Sequence, residues 1–204
     1  WNHGRMGNLD PDDRDTWLRM LDYYYWLHQK VDVEVGLVLD ALEDSGFADT
    51  TMTFYTSDHG EMAGSHGLRG KGPFVYEENL NIPLYVTGPD VPPGTVTTAL
   101  GSHVDFAPTL LSLAGGSPQD ADIPGTDLSR VLRDPTEPGA SQVRFDIDLG
   151  WAPGTAATRY ALRGSFDGRY KYAHYFGVDE APGAVTILGW VGLVKHGNLS
   201  LIHI

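Results

Sequence analysis

A short apolar run at residues 52–55 ends abruptly in Ser57-Asp58-His59-Gly60, and five glycines then fall between positions 60 and 72 at intervals of two to four residues. Thr53, Phe54 and Tyr55 are β-branched or aromatic and favour a strand. Each glycine inside a helix would cost about 1 kcal/mol relative to alanine, so the segment that follows reads as a wrapped loop. A strand thus hands polar groups to a glycine-rich loop that carries Glu61, His66, Arg69 and Lys71.

The flanks supply a core for that junction. Over residues 12–45, Trp17, Leu21, Tyr24, Leu27, Val31, Val35, Leu39 and Leu42 recur every three or four positions, the spacing of an amphipathic helix. Asp12 or Asp13 suits its start and Gly46 its end. The cluster Tyr23-Tyr24-Tyr25-Trp26 is expected to face the core. A second strand is expected over residues 82–87, with Pro83 at its start because proline has no ladder donor. Helix followed by strands predicts an α/β layer on a parallel sheet flanked by helices, where ligands sit at the carboxyl ends of strands.

Asp58 and His59 stand at such an end. A carboxylate beside an imidazole suits a metal ion, and it equally suits a plain turn in which Asp58 caps the loop and His59 stays half exposed. Lys71 is a compact point charge fitted to a tetrahedral oxyanion. His66 either lines the same site or pins the loop. Glu61 and Arg69 read as loop support or solvated face, and Glu77 and Glu78 as holding the loop against the next strand.

Further along, residues 103–115 predict a short helix with Asp105 as cap, Pro108 in the first turn and an apolar face of Leu110, Leu111 and Leu113. Residues 117–141 turn rich in Ser, Pro, Asp and Gly and read as a linker, with a possible helical turn at 127–132. Residues 142–148, 158–164 and 169–175 cluster β-formers around the turn at Asp167-Gly168, which predicts a small antiparallel subdomain over 142–183. Arg169 and Lys171 either reach a substrate or lie on the subdomain's solvated face, and the solvated face is the expectation. Residues 184–204 are set apart as a tail of uncertain origin, and the final residues 199–204 have no defensible loop or helix logic.

The formal net charge of -13 argues against nucleic acid as a partner, since phosphate binding needs clustered Lys and Arg. A bound cation with Lys71 can still make one pocket locally positive. The longest apolar stretch, residues 184–194, falls short of the ~20 residues a membrane span needs. The absence of cysteine excludes disulfides and thiolate metal sites and leaves localisation open. Nothing in the sequence speaks to oligomeric state.

The succession S-D-H-G-E, H-G-L-R-G-K-G, Y-E-E and I-P-L resembles the second half of the sulfatase catalytic domain, in the alkaline phosphatase superfamily, and more loosely the phosphonate monoester hydrolases. The segment V-D-F-A-P-T-L-L-S-L-A-G and the piece D-G-R-Y-K-Y resemble later parts of the same enzymes, so the resemblance covers roughly residues 12–176. It implies a partial alkaline-phosphatase-like α/β domain over residues 1–116 and the start of a carboxy-terminal subdomain. It also implies that Asp58 and His59 close a divalent metal site, calcium ahead of manganese or magnesium, and that Lys71 binds the sulfuryl group. Lys71 and His66 are the expected catalytic residues, Asp32 and Asp105 are structural, and the expected partner is a small-molecule or glycan sulfate ester. The motif C-x-P-x-R or S-x-P-x-R, whose Cys or Ser becomes formylglycine in such enzymes, does not occur in these 204 residues. The expectation is therefore a sulfatase fragment that is inactive alone. Alternatives are a phosphonate monoester or phosphodiester hydrolase of the same superfamily, and a non-catalytic metal-binding or structural module.

Overall fold

The computed structural model describes residues 10, 12–149, 159–178, 185–195 and 202–203. The chain divides into two compact units, residues 1–82 with 87–89 and residues 83–86 with 90–204.

In the first unit, helix α1 (Arg14–Asp44) runs for 31 residues. Asp13 caps it, its Oδ1 accepting the Thr16 amide at 3.1 Å and its Oδ2 the Thr16 hydroxyl at 2.6 Å. Gly46, at φ 74°, turns the chain out of the helix. The expected core placement of the aromatic cluster is corrected here. No residue of α1 is buried, and Tyr23 and Tyr25 keep 60% and 64% of their surface exposed. Leu27, Val31 and Leu39 of the predicted apolar face are exposed as well. Tyr23 stacks on Trp26 with centroids 5.7 Å apart, and the Lys30 ammonium lies 5.5 Å over the Trp26 ring.

A 3-10 turn (Ala48–Thr50) leads into strand β1 (Thr53–Thr56), and the glycine-rich loop follows, with a second 3-10 turn at Ser65–Gly67. Helix α2 (Glu77–Leu80) closes the loop. Met62, fully buried, anchors the loop from within. Trp17 of α1 packs against it at Gly64, where an added Cβ would lie 3.3 Å from the indole.

The second unit holds most of strand β2 (Leu84–Thr87), β3 (Val96–Thr97), a 3-10 turn at His103–Asp105, α3 (Phe106–Leu113) and α4 (Ser129–Arg133). Strands β4 (Val143–Leu149), β5 (Arg159–Phe166), β6 (Tyr170–Val178), β7 (Val185–Lys195) and β8 (Ile202–His203) complete it. β4, β5, β6 and β7 form an antiparallel sheet in chain order. β8 runs parallel to β2 and antiparallel to β3.

The hairpin expected at Asp167-Gly168 is present: Asp167 Oδ1 accepts the Arg169 and Tyr170 amides at 2.9 and 2.6 Å, and Gly168 takes φ 88°. Gly164 sits opposite Phe145, and a Cβ there would fall 2.1 Å from its ring. Only glycine leaves that ring its place. The tail beyond 184, set apart by its sequence as of uncertain origin, supplies β7 as the fourth strand of this sheet.

Lys171 is a further correction. It retains only 3% exposure, because β6 lies between β5 and β7 and the lysine shares its face with the buried Ala173. Its ammonium lies 5.5 Å over the Phe166 ring, the residue it pairs with across the strands.

Asp105 is structural and stands at the N-cap of α3, though its side chain makes no capping bond to that helix. It closes the capping box of the preceding 3-10 turn with Ser102, accepting the Ser102 amide at 2.7 Å and also the Thr126 amide at 2.6 Å. On α3 the buried residues are Pro108 and Thr109; of the expected leucine face, Leu111 and Leu113 are half-buried and Leu110 is 48% exposed. Thr109 is drawn inward because its hydroxyl bridges the Asp105 carbonyl at 2.6 Å and the Leu128 amide at 2.9 Å. Residues 117–141, expected to link, include the buried Leu128, Val131 and Leu132, and Leu128 and Val131 pack with Ala99.

Candidate functional site

All the residues singled out for chemistry belong to the first unit. β1 ends at Thr56, and the Ser57 hydroxyl donates to the His59 carbonyl at 2.7 Å, fixing the turn that follows. Asp58 Oδ1 accepts the His59 amide at 3.0 Å, which leaves Oδ2 for other partners. The capping turn and the ligand pair are therefore compatible, one oxygen serving each.

His59 is half buried and its ring is oriented from both ends. Nδ1 lies 2.8 Å from the Gly60 carbonyl, and Nε2 lies 2.7 Å from Lys71 Nζ and 3.2 Å from Asp58 Oδ2. A carbonyl only accepts and an ammonium only donates, so Nδ1 carries the proton and Nε2 the lone pair. Two lone-pair atoms 3.2 Å apart are tolerable only with positive charge beside them. Here the Lys71 ammonium supplies it.

Partial desolvation pushes the Asp58 carboxyl up, and the adjoining His59, the backbone amides and the Lys71 ammonium outweigh it. The net direction is down from the ordinary carboxylate value.

The donor chemistry fits a divalent cation: an anionic oxygen, a neutral imidazole nitrogen held in the ligating tautomer, and an ammonium standing in for the charge. Two donors are only part of such a shell. Among the described residues, no group of three or more His, Asp or Glu side chains gathers as a metal ion would require.

His66 takes a left-handed conformation at φ 56°. Its ring stacks on Tyr76 with centroids 3.8 Å apart, and Nε2 lies 3.9 Å from Glu78 Oε1. Those contacts tie the loop to the α2 segment. Glu61 braces the loop from inside: Oε1 accepts the Ala63 amide at 3.0 Å and also the Gly70 amide. Burial, with the nearby Glu61 and Tyr25, pushes the Tyr24 phenol up.

Asn79 is the residue that sequence reasoning missed. It is 5% exposed, and its Nδ2 donates to the Gly72 carbonyl at 3.0 Å and the Phe74 carbonyl at 2.8 Å, while Oδ1 accepts the Gly72 amide at 3.3 Å. Its own carbonyl accepts the Gly60 amide at 3.0 Å. A polar residue in a four-residue helix carries no periodic signal, so nothing in the sequence distinguished it from the exposed Asn81.

A family model described as Sulfatase matches residues 4–117, more than half of the chain. Arylsulfatase K of Xenopus laevis is 32% identical over 160 residues, which cover 75% of this chain and 28% of that protein. An N-acetylglucosamine-6-O-sulfatase of Bacteroides thetaiotaomicron is 41% identical over 103 residues, covering 50% of this chain and 18% of that protein. The chain thus spans about a quarter or less of the length of curated relatives it matches. A solved structure, in complex with its substrate D-glucosamine-2-N,6-O-disulfate, superposes with a TM-score of 0.63 at 28% identity, over 81% of this chain and 31% of that one. Together these place the chain in a partial alkaline-phosphatase-like α/β fold.

Proposed function

The chain belongs to the sulfatase family, and on that premise we propose that Asp58, His59 and Lys71 form the cation-binding and sulfate-binding part of a site for hydrolysing a sulfate ester. One observation carries the reading: Asp58 Oδ2 and Lys71 Nζ both meet His59 Nε2, at 3.2 and 2.7 Å. Asp58 Oδ2 and His59 Nε2 would hold a divalent cation, calcium by the resemblance. When bound, such an ion supplies charge neutralisation at the ester oxygens.

Every other part of the proposal rests on this chain's own groups. Lys71 places a point charge where a tetrahedral oxyanion needs one. The Gly60 carbonyl keeps the His59 proton on Nδ1, and the Nε2 lone pair, which here accepts from the Lys71 ammonium, would pass to a cation as Lys71 turns to the sulfate. His66 holds the loop through Tyr76 and Glu78. The nucleophile is not assigned to any residue here, so the 204-residue chain binds a cation and sulfate without turning over an ester by itself. A glycan sulfate ester is the substrate class this reading favours, because the matched structure was solved with a disulfated glucosamine and a matched relative is named for N-acetylglucosamine.

Calorimetric titration of the chain with Mn2+ as probe, and with inorganic sulfate in its presence, tests this. Asp58→Asn is expected to weaken Mn2+ binding by at least about tenfold, and Lys71→Met to remove the sulfate response while leaving Mn2+ binding in place. Equal Mn2+ affinity in Asp58→Asn and the parent overturns the cation assignment. Turnover of an aryl sulfate by the chain alone overturns the claim that it lacks the nucleophile, and preference for a phosphodiester over a sulfate ester in a complete enzyme carrying this segment overturns the substrate class.

A further inference from the structure

The two halves of the candidate site lie on different segments. Asp58 and His59 follow β1, whereas Lys71 lies twelve residues on, across a loop with left-handed turns at Ala63, Gly64, His66, Gly67 and Gly70. A glycine-rich loop has many conformations open to it, so a 2.7 Å contact between His59 and Lys71 needs something that fixes both ends at once.

We infer that Asn79 is the positioning residue that sets the distance between the cation pair and the lysine. Its backbone carbonyl holds Gly60, next to His59, and its side chain holds both polar groups of Gly72, next to Lys71. It is the buried hub of these bonds, and the third, to the Phe74 carbonyl, fixes the side chain's own orientation.

The site is specific to an amide. Two carbonyls require donors and one amide requires an acceptor, which Asn supplies and Asp cannot, since a carboxylate would turn a lone pair toward the Gly72 and Phe74 carbonyls. Gly60 is adapted to the same contact, because an added Cβ would lie 2.0 Å from the Glu78 carbonyl oxygen. Glu61 and Met62 also tie the two ends, Glu61 Oε1 accepting the Gly70 amide and the Met62 amide donating to the Gly70 carbonyl at 3.2 Å. The Asn79 bonds add Gly60 and Gly72, which flank His59 and Lys71, and His66 holds the outer turn of the loop.

This inference rests on the reading of Asp58, His59 and Lys71 as one site, and its test needs no ester turnover. In the full 204-residue chain, proton NMR is used to read the cross-relaxation between the His59 ring and the Lys71 side chain, alongside that between the stacked His66 and Tyr76 rings. In Asn79→Asp the His59–Lys71 signal is expected to be lost while the His66–Tyr76 signal persists. Asn81→Ala, an exposed neighbour, is expected to change neither. If Asn79→Asp fails to fold, Asn79→Ser is read in its place: it keeps the backbone bond to Gly60, lacks the amide's reach to Gly72 and Phe74, and leaves room for water. An unchanged His59–Lys71 signal in whichever variant folds overturns the inference, and so does simultaneous loss of both signals, which marks a merely structural role. Absence of the His59–Lys71 signal in the parent chain overturns the proposed site itself, which separates the two failures.

Discussion

Replacing Gly60 by alanine builds a methyl carbon 2.0 Å from the Glu78 carbonyl oxygen, 2.8 Å from its carbonyl carbon and 3.2 Å from Asn79 Cα. All three neighbours are backbone, so no rotamer change relieves the contact. Segment 58–60 and helix α2 must separate, and the bond from the Gly60 amide to the Asn79 carbonyl, 3.0 Å, goes with them. Overpacking of this kind costs about 1–3 kcal/mol and the lost hydrogen bond about 1 more, so about 2–4 kcal/mol is expected. Two other glycines calibrate the figure. At Gly67 nothing lies within 4 Å of a new Cβ, but φ is 69°, so alanine there should cost about 1–2 kcal/mol from backbone strain alone. At Gly36, inside α1 and with nothing within 4 Å, alanine should stabilise by about 0.5–1 kcal/mol. Urea unfolding gives the three free energies, and amide exchange at Met62 and Gly64, whose amides bond to Gly70 and Leu68 across the loop, reports the local opening. The order Gly60→Ala worst, Gly67→Ala intermediate, Gly36→Ala stabilised is the expected result. Gly60→Ala costing no more than Gly67→Ala would refute the close approach of the two segments on which the site's geometry depends.

Met62→Ala should lower stability by about 2–5 kcal/mol, since the side chain is fully buried under the loop; chemical denaturation measures it, and a loss below 1 kcal/mol would mean that the loop does not rest on it. Thr97→Val should cost about 1–2 kcal/mol, because the Thr97 hydroxyl is buried between the Pro135 carbonyl at 2.8 Å and the Ala99 amide at 3.1 Å; a neutral result in thermal unfolding would deny the bond its role. For Asp127, desolvation pushes the carboxyl up, but the Ser112 hydroxyl, the bonds to Ser129 and the Arg133 charge outweigh it and hold it below 3.8. A group depressed in the folded state stabilises fully above its unfolded value and loses that contribution as pH falls through the folded one. Stability should therefore decline on acidification below pH 3.8. Ser112→Ala should move the Asp127 midpoint upward in a carboxyl NMR titration, and an unmoved midpoint counts against the bond.

The elements carried by short-range preference were legible before any coordinates. The three-and-four spacing of α1, the cap at Asp13, the change from β-formers to Asp58-His59-Gly60 and the turn at Asp167-Gly168 are decided within a few residues, by backbone sterics and local hydrogen bonds. So was the candidacy of Asp58, His59 and Lys71, because charge and ligand chemistry belong to the residue types themselves. Other features were decided by what each residue meets from far along the chain. The outward placement of Tyr23 and Tyr25, the burial of Lys171 between two strands, the pairing of β7 and the turning of Thr109 toward Leu128 all depend on partners that no local pattern names. The convergence on His59 is of the same kind. Twelve residues of glycine-rich loop permit many separations of His59 from Lys71, and the folded contacts of Asn79 with Gly60 and Gly72, together with those of Glu61 and Met62 with Gly70, select one, because hydrogen bonds to fixed backbone groups remove the freedom that the glycines leave open.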